Sequence, residues 1–249
     1  MNKLYLFGAI TSGLLVAHPI YSQTTTSESS PALTSVANYR QKYAEGIDIN
    51  SRLYNGPEYI FYDKYYRNNT GHQFFSKAEE QLGKIEYDGQ QFTNIPILYD
   101  IHLGQVVLTH PSSTLKFRLV NEKVKSFSLL GHTFVRLTTP TVEKPLITTG
   151  FYDLLFNQGL QVYAKWDKEM KTKAEQGVVH AIFTEHVNYF AYKDTAYYRI
   201  SSINDLANLF PDKKSDIQKF ARSNKLKFNK ANRAATLVQL AQYAVSTTR

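Results

Sequence analysis

The chain has 249 residues, no cysteine, 14% aromatic residues and a formal net charge of +8. The absence of cysteine excludes disulfide bonds, thiolate nucleophiles and Cys-ligated zinc, so a hydrophobic core has to supply the stability. The excess of cations is moderate and spread along the chain, with some concentration between Lys213 and Arg233, and it can attract anionic lipid, polysaccharide or nucleic acid without selecting one of them.

The first 22 residues have the layout of a secretory signal peptide. Lys3 gives a positive start, Leu4 to Ala17 is apolar, and Ser22 is a small residue directly before the polar Gln23. The apolar run is shorter than the roughly 20 residues that a spanning helix needs, and Pro19 interrupts it. We therefore expect cleavage after Ser22, a mature chain without a transmembrane helix, and a periplasmic or extracellular location.

Residues 23–49 predict a disordered leader followed by a short helix. Residues 23–31 are rich in Thr and Ser and have no periodicity. Apolar and aromatic residues then keep helical spacing from Leu33 to Tyr43, and Gly46 ends this segment.

Residues 50–200 predict an antiparallel sheet that is able to curve strongly. Between Gly83 and Leu137, polar and apolar residues alternate with a period of two, as in the segment from Lys84 to Tyr87. Asp88-Gly89 supplies the positive-φ turn of a tight hairpin. The connections are too short for the helical crossovers of a parallel sheet, so the pattern predicts a β-meander with one face in water.

Other segments of this region predict further strands and loops. A strand rich in aromatic residues is expected over Glu58–Tyr66, and the charged segment Lys168–Gly177 is expected to be a solvated loop. Two further hairpins are predicted, with strands at Phe151–Phe156, Leu160–Trp166, Phe183–Tyr192 and Ala196–Ile200.

Residues 201–249 predict helices that pack on the sheet. Ser202 is placed to cap a helical turn, and Pro211-Asp212 can start the next helix. Asn229 can cap a final helix that carries an apolar stripe. Strands followed by helices, with no internal linker, predict one α+β domain.

Several short segments resemble a group of uncharacterised exported proteins from Bacteroidota. The resemblance covers about residues 50–245 and is carried by Leu53-Tyr-Asn-Gly-Pro-Glu-Tyr59, Gly71-His-Gln-Phe74, Tyr87-Asp-Gly89, Ile95-Pro-Ile-Leu-Tyr-Asp100, Gly131-His-Thr-Phe134, Gly150-Phe-Tyr152 and a tail that includes Lys225-Leu-Lys-Phe228. It implies export and a shared fold, and it implies no activity or catalytic residue.

Two Gly-His-x-Phe segments make His72 and His132 candidates for ligand binding. Neither segment carries the further ligands that a metal site needs, so no metal site is predicted and a structural role near strand ends is favoured. His180 and Glu185-His186 have the wrong spacing for a metalloprotease motif. The serine-hydrolase, phosphate-loop and dinucleotide motifs are absent from the sequence, so no catalytic residue and no cofactor are predicted.

Repeated Tyr-Asp dipeptides are the second group of candidate binding residues. Rings and carboxylates that shared one cleft could bind a sugar, and a glycosidase would need two carboxylates about 5–10 Å apart across it. Strand and turn preferences of Tyr and Asp explain the same dipeptides without a site, and this interpretation is favoured. The candidates are Tyr87, Asp88, Tyr99, Asp100, Tyr152 and Asp153.

Asp194-Thr195-Ala196 resembles the O-glycosylation signal of exported Bacteroidota proteins, and it falls on a predicted hairpin turn. Thr195 is therefore a candidate O-glycosylation site. A three-residue signal is short, and chance matches to it are common.

These observations favour an exported, non-enzymatic envelope protein that acts as a binding or accessory scaffold module. The expected partners are envelope polysaccharide or another envelope protein, and nucleic acid is not expected. Two alternatives remain open: a glycan-active or other hydrolase that uses Asp carboxylates, and a carrier that holds a lipophilic ligand between a curved sheet and the C-terminal helices.

Overall fold

The computed structural model describes residues 52–66, 69–175 and 177–246 of the chain. The predicted signal peptide, leader and short N-terminal helix lie outside these residues. The described residues belong to one compact unit that spans residues 47–249.

The predicted α+β class is confirmed, because an antiparallel sheet of ten strands is followed by C-terminal helices. The strands are β1 (Gln81–Tyr87), β2 (Gln90–Asp100), β3 (Gln105–Thr109), β4 (Lys116–Arg118), β5 (Val124–Leu129), β6 (His132–Leu137), β7 (Gly150–Asn157), β8 (Gln161–Glu175), β9 (Val178–Lys193) and β10 (Ala196–Ile200). The helices are α1 (Ile203–Asn208), α2 (Lys214–Ser223) and α3 (Arg233–Ser246).

The strand order departs from a simple meander at one step. The sheet runs β10-β9-β8-β7-β6-β5-β1-β2-β3-β4, so it consists of two meanders that are joined where β5 pairs with β1. A short 3-10 helix at Asn121–Lys123 reverses the chain between β4 and β5. The amide of Asp88 donates to the carbonyl of Lys123 at 2.8 Å, which holds this return against the first hairpin.

A bulge in β2 bends the sheet around its main core. The register with β1 shifts between Gly83 and Lys84, and Asn94 on β2 has a φ of +58°. Beyond the bulge, Tyr99 packs against strands on the other side of the core, with ring centroids 4.9 Å from Phe127 and 5.0 Å from Phe134. The strongly curved sheet thus encloses an aromatic core from two sides.

The strand predicted over Glu58–Tyr66 is wrong. Glu58 makes an isolated antiparallel bridge to Phe117, and Tyr62–Lys64 forms a short 3-10 helix. Tyr59 is only 3% exposed and belongs to a small core cluster. Tertiary packing rather than strand pairing therefore accounts for Tyr59, whereas Tyr65 is 67% exposed.

The solvated loop predicted over Lys168–Gly177 is also wrong. β8 continues to Glu175 and pairs with β9 along its whole length, from Gln161 opposite Tyr192 to Glu175 opposite Val178. Continuous backbone pairing holds this arm in strand conformation, and most of its charged side chains stay in water. Charge alone therefore did not distinguish an exposed hairpin from a loop.

The predicted helices cover one face of the last strands. Ser202 caps α1 by accepting a hydrogen bond from the amide of Asp205 at 3.2 Å, as predicted. Asn229 accepts from the amide of Asn232 at 3.1 Å and caps the turn that leads into α3. The contact between the helices and β7–β10 is a packed apolar core. None of the helices in the described ranges is long and apolar enough to cross a membrane.

Candidate functional site

The first polar network surrounds Asp100 at the end of β2. Its side chain is fully buried, and Oδ1 accepts hydrogen bonds from the amides of His102 at 2.9 Å and Leu103 at 3.0 Å. Oδ2 accepts from the hydroxyl of Tyr59 at 2.8 Å, and that hydroxyl accepts from Gln73 Nε2 at 3.2 Å. Burial raises the pKa of Asp100, and these donors oppose the rise. The carboxylate therefore stabilises the turn after β2 by accepting hydrogen bonds from its backbone amides.

Lys168 on β8 extends this network toward His72. The lysine is 7% exposed, and its Nζ donates to the carbonyl of Phe74 at 2.6 Å. The same Nζ lies 3.5 Å from His72 Nδ1, which also accepts from the amide of Phe74 at 3.2 Å. Burial lowers the pKa of Lys168, and burial together with the lysine charge lowers the pKa of His72. His72 Nδ1 thus serves as a hydrogen-bond acceptor at the edge of the core.

The second network joins His132 to Asp153. His132 opens β6 and Asp153 lies on β7, and the distance between His132 Nδ1 and Asp153 Oδ2 is 2.6 Å. Asp153 is 1% exposed and also accepts from Trp166 Nε1 at 3.2 Å. The hydrogen bond to Asp153 raises the pKa of His132, and burial opposes this effect. The half-buried imidazole is therefore fixed in orientation, with its ring 5.0 Å from that of Phe75.

The two Gly-His-x-Phe histidines have separate partners. His72 contacts Lys168, whereas His132 contacts Asp153. Within the described ranges, no group of three His, Asp or Glu side chains could hold a metal ion.

The remaining Tyr and Asp candidates lie in other places. Tyr87 and Tyr99 are buried in the main core. Asp88 lies in the first hairpin turn, with a φ of +50°, and its carboxylate is 3.3 Å from Lys123 Nζ. Tyr152 is 1% exposed, and its hydroxyl donates to the carbonyl of Thr148 at 2.8 Å. The structure therefore does not gather these residues around one cleft.

Thr195 occupies the turn between β9 and β10. Both turn residues have positive φ, 48° at Asp194 and 64° at Thr195, which confirms the predicted hairpin. The side chain of Thr195 is exposed, and its hydroxyl donates to the carbonyl of Asp194 at 2.6 Å. The hydroxyl thus lies at the surface of a tight turn.

A groove of about 840 Å³ lies on the C-terminal helices, where the sequence predicts no binding residue. It opens between the start of α1, the second half of α2 and the segment 225–228 that follows α2. Its apolar lining comes from Ile203, Ala221, Leu226 and Phe228, and its cations are Arg222, Lys225 and Lys227. The lining residues include no carboxylate, so the groove combines an apolar floor with positive charge.

The end of α2 shapes this groove. The amide of Leu226 donates to the carbonyl of Ala221 at 2.9 Å, and the amide of Lys225 donates to the carbonyl of Arg222 at 3.0 Å. These two bonds form a Schellman motif, in which the residue after the cap takes a positive φ. Lys225 occupies that position with a φ of +52°. The chain then leaves α2 sharply, and residues 226–228 form one wall of the groove.

The groove lies in the most basic part of the chain. Residues 211–233 contain eight Lys or Arg and two Asp, a balance of +6 out of the net +8 of the whole chain. Comparisons with protein-family models, with curated proteins and with solved structures found no match to this chain. The candidate site is therefore defined by geometry and charge alone.

Sequence reasoning missed several residues of these sites. Tyr59, Lys168 and Trp166 are partners of the predicted Asp and His residues, and they come from distant parts of the chain. The sequence pattern predicts a solvent-exposed Lys168, because lysine is charged. The alternation of Trp166 and Lys168 on one face of β8 was the available signal. For the groove, the basic composition was visible in the sequence and the concavity was not.

Proposed function

We propose that the protein is an exported, non-enzymatic binding module of the bacterial envelope, and that its ligand binds in the groove on α1 and α2. The observation that carries this proposal is a difference in solvent access. Two carboxylates of the sheet are buried, whereas cations of the helical region line an open groove. Asp100 and Asp153 are sealed in the sheet region by fixed hydrogen-bond donors. The cations Arg222, Lys225 and Lys227 line an open groove.

The hydrolase alternative has less support in this geometry. A glycosidase needs two carboxylates that face one cleft, one of them as a proton donor. Asp100 is fully buried and Asp153 is 1% exposed, while Asp88 lies in an exposed turn beside Lys123. The carboxylates that were candidates for acid–base chemistry thus have structural partners.

The carrier alternative requires a cavity at a specific place in the fold. A ligand between the sheet and the helices would need a cavity there, but that space is filled by a packed cluster that includes Leu206, Leu237 and Leu240, each with no exposure. A lipophilic ligand would therefore have to use the groove on the outer side of the helices.

Export is supported by the first 22 residues and by the resemblance to exported proteins. N-terminal sequencing of the protein recovered from the periplasm and the culture medium tests it, and a chain that begins at Gln23 is the expected result. Recovery of the intact amino terminus from the cytoplasm would contradict export.

The groove is tested by a single-cysteine label, because the chain contains no other cysteine. Asn204→Cys carries an environment-sensitive fluorophore at the groove, and Thr172→Cys carries it on the exposed arm of β8 as the control. Titration with lipid, polysaccharide and peptide fractions of the envelope is expected to change the groove label in a saturable manner. Hydrolase turnover that is abolished by Asp100→Asn or Asp153→Asn would overturn the proposal.

A further inference from the structure

On the basis of the proposed function, we infer that the groove binds a monomeric single-chain anionic amphiphile. Its aliphatic chain lies on the apolar floor, and its carboxylate or phosphate lies among Arg222, Lys225 and Lys227. The occupant is a free molecule rather than the surface of a bilayer.

In the described part of the chain, no carboxylate pairs with the cations of the groove. Among the described residues, none of Arg222, Lys225 and Lys227 forms an ion pair, whereas Lys219 on the same helix lies 3.5 Å from Asp216. Three neighbouring cations without counter-charges repel one another and attract an anion. The ligand therefore carries negative charge at the end that meets these side chains.

The floor of the groove favours an aliphatic chain. Ile203, Leu226 and Phe228 contribute apolar surface to the lining, together with Ala221. An aliphatic chain that lies on these side chains removes its own apolar surface and theirs from water.

The size and shape of the groove indicate a single small ligand. Its volume of about 840 Å³ is in the range of pockets that hold one small molecule. The apolar residues are therefore accessible to a separate chain that enters the groove.

Lys225 is a cation of the groove that occupies a strained backbone position. Glycine is the usual residue at the positive-φ position of a Schellman motif, because a side chain there is strained. Lys225 has a φ of +52° and borders the groove. A lysine at this position places a cation at the border of the groove, with a backbone strain that glycine would not have.

The test measures binding of sodium dodecanoate, kept below its micelle concentration, to the Asn204→Cys label. We expect saturable binding by the otherwise wild-type chain, and binding roughly fivefold weaker in the Lys225→Gly variant because one cation is lost. The same Lys225→Gly change is expected to raise the urea midpoint. Lys225→Arg should retain binding, and the matched control Lys214→Gln, an exposed residue of α2 outside the groove, should change it less than about twofold.

The alternative occupants are separate arms of this experiment. A neutral dodecyl ligand that binds as tightly as dodecanoate would overturn the anionic chemistry. The other occupants to test are an acidic peptide, anionic vesicles and a dimer of this chain. If one of them replaced dodecanoate in a Lys225-dependent manner, the inference that the ligand is a monomeric amphiphile would be overturned. In each of these results the groove still binds and the proposed function stands. If no probe and no envelope fraction changes the groove label, both the inference and the proposed function are wrong.

Discussion

The pair formed by His132 and Asp153 predicts a pH-dependent contribution to stability. His132→Ala removes the group 2.6 Å from Asp153 Oδ2 and leaves Trp166 Nε1 as the other side-chain donor to a carboxylate that is 1% exposed. A hydrogen bond to a charged group contributes about 1.5–3 kcal/mol, and a buried charge that loses its partner costs more. Because the His132 side chain is 36% exposed, solvent screens its charge. We therefore expect His132→Ala to lower the free energy of unfolding by about 2 kcal/mol at acidic pH.

The sign of the pH dependence follows from the raised pKa of His132. Asp153 makes the folded protein hold the imidazole proton more tightly than the unfolded chain does. The ionic stabilisation is therefore fully present below the unfolded-state pKa of about 6.5, and it is lost as the pH rises through the folded-state pKa. Above that pKa the neutral imidazole can still donate to Asp153, so a smaller difference between wild type and His132→Ala remains.

Urea unfolding at about pH 5.5 and about pH 9 measures this contribution. Trp166 is the single tryptophan of the chain and lies in the network, so its fluorescence is followed together with circular dichroism. Asp153→Asn retains the side-chain volume and removes the charge, and in that background the pH dependence should disappear. A cost of His132→Ala that is equal at both pH values, or larger at alkaline pH, would refute the reasoning.

Three further substitutions test the fold around the sites by urea unfolding. Tyr59→Phe should cost about 1–2 kcal/mol, because Asp100 loses a buried donor and keeps its backbone donors; an unchanged midpoint would contradict this. Gly83→Ala should cost about 2–4 kcal/mol, since a Cβ there would overlap the backbone carbonyl of Ser128; a wild-type midpoint would show that the strands can separate. Thr195→Gly should stabilise by about 1 kcal/mol, because a β-branched residue with a φ of +64° is strained; a loss of stability would contradict that estimate.

The parts of the fold that depend on local pattern could be predicted from the sequence. Alternation at Lys84 to Tyr87 and the turn residues Asp88-Gly89 act over a few positions, and the structure has the expected hairpin there. The pairing of β5 with β1 could not be predicted. Alternation tells which face a side chain takes, but it does not tell which strand becomes the neighbour.

The candidate residues of the sites were recognisable, and their partners were not. His132 and Asp153 stood out because they belong to repeated short segments. Lys168 reaches the carbonyl of Phe74 across 94 positions of sequence, and Tyr59 reaches Asp100 across 41. Contacts of this kind are set by the curvature of the sheet, which the pattern of a single strand does not encode.

Seven residues other than glycine have a positive φ in the described ranges, and their residue types differ in how well they suit this conformation. Asp88, Asn94 and Asp194 are residue types that tolerate this conformation, and they lie in turns or a bulge. Lys225 has neither the short polar side chain nor the flexibility that the position favours, and glycine would relieve its strain. Leu130 has the same φ of +52° without being suited to it, so the backbone conformation alone assigns no role to Lys225, and its position at the groove is what suggests one. Because Lys225→Gly removes both the strain and the charge, a variant that is more stable and binds dodecanoate less tightly is the result that distinguishes a binding residue from a neutral surface position.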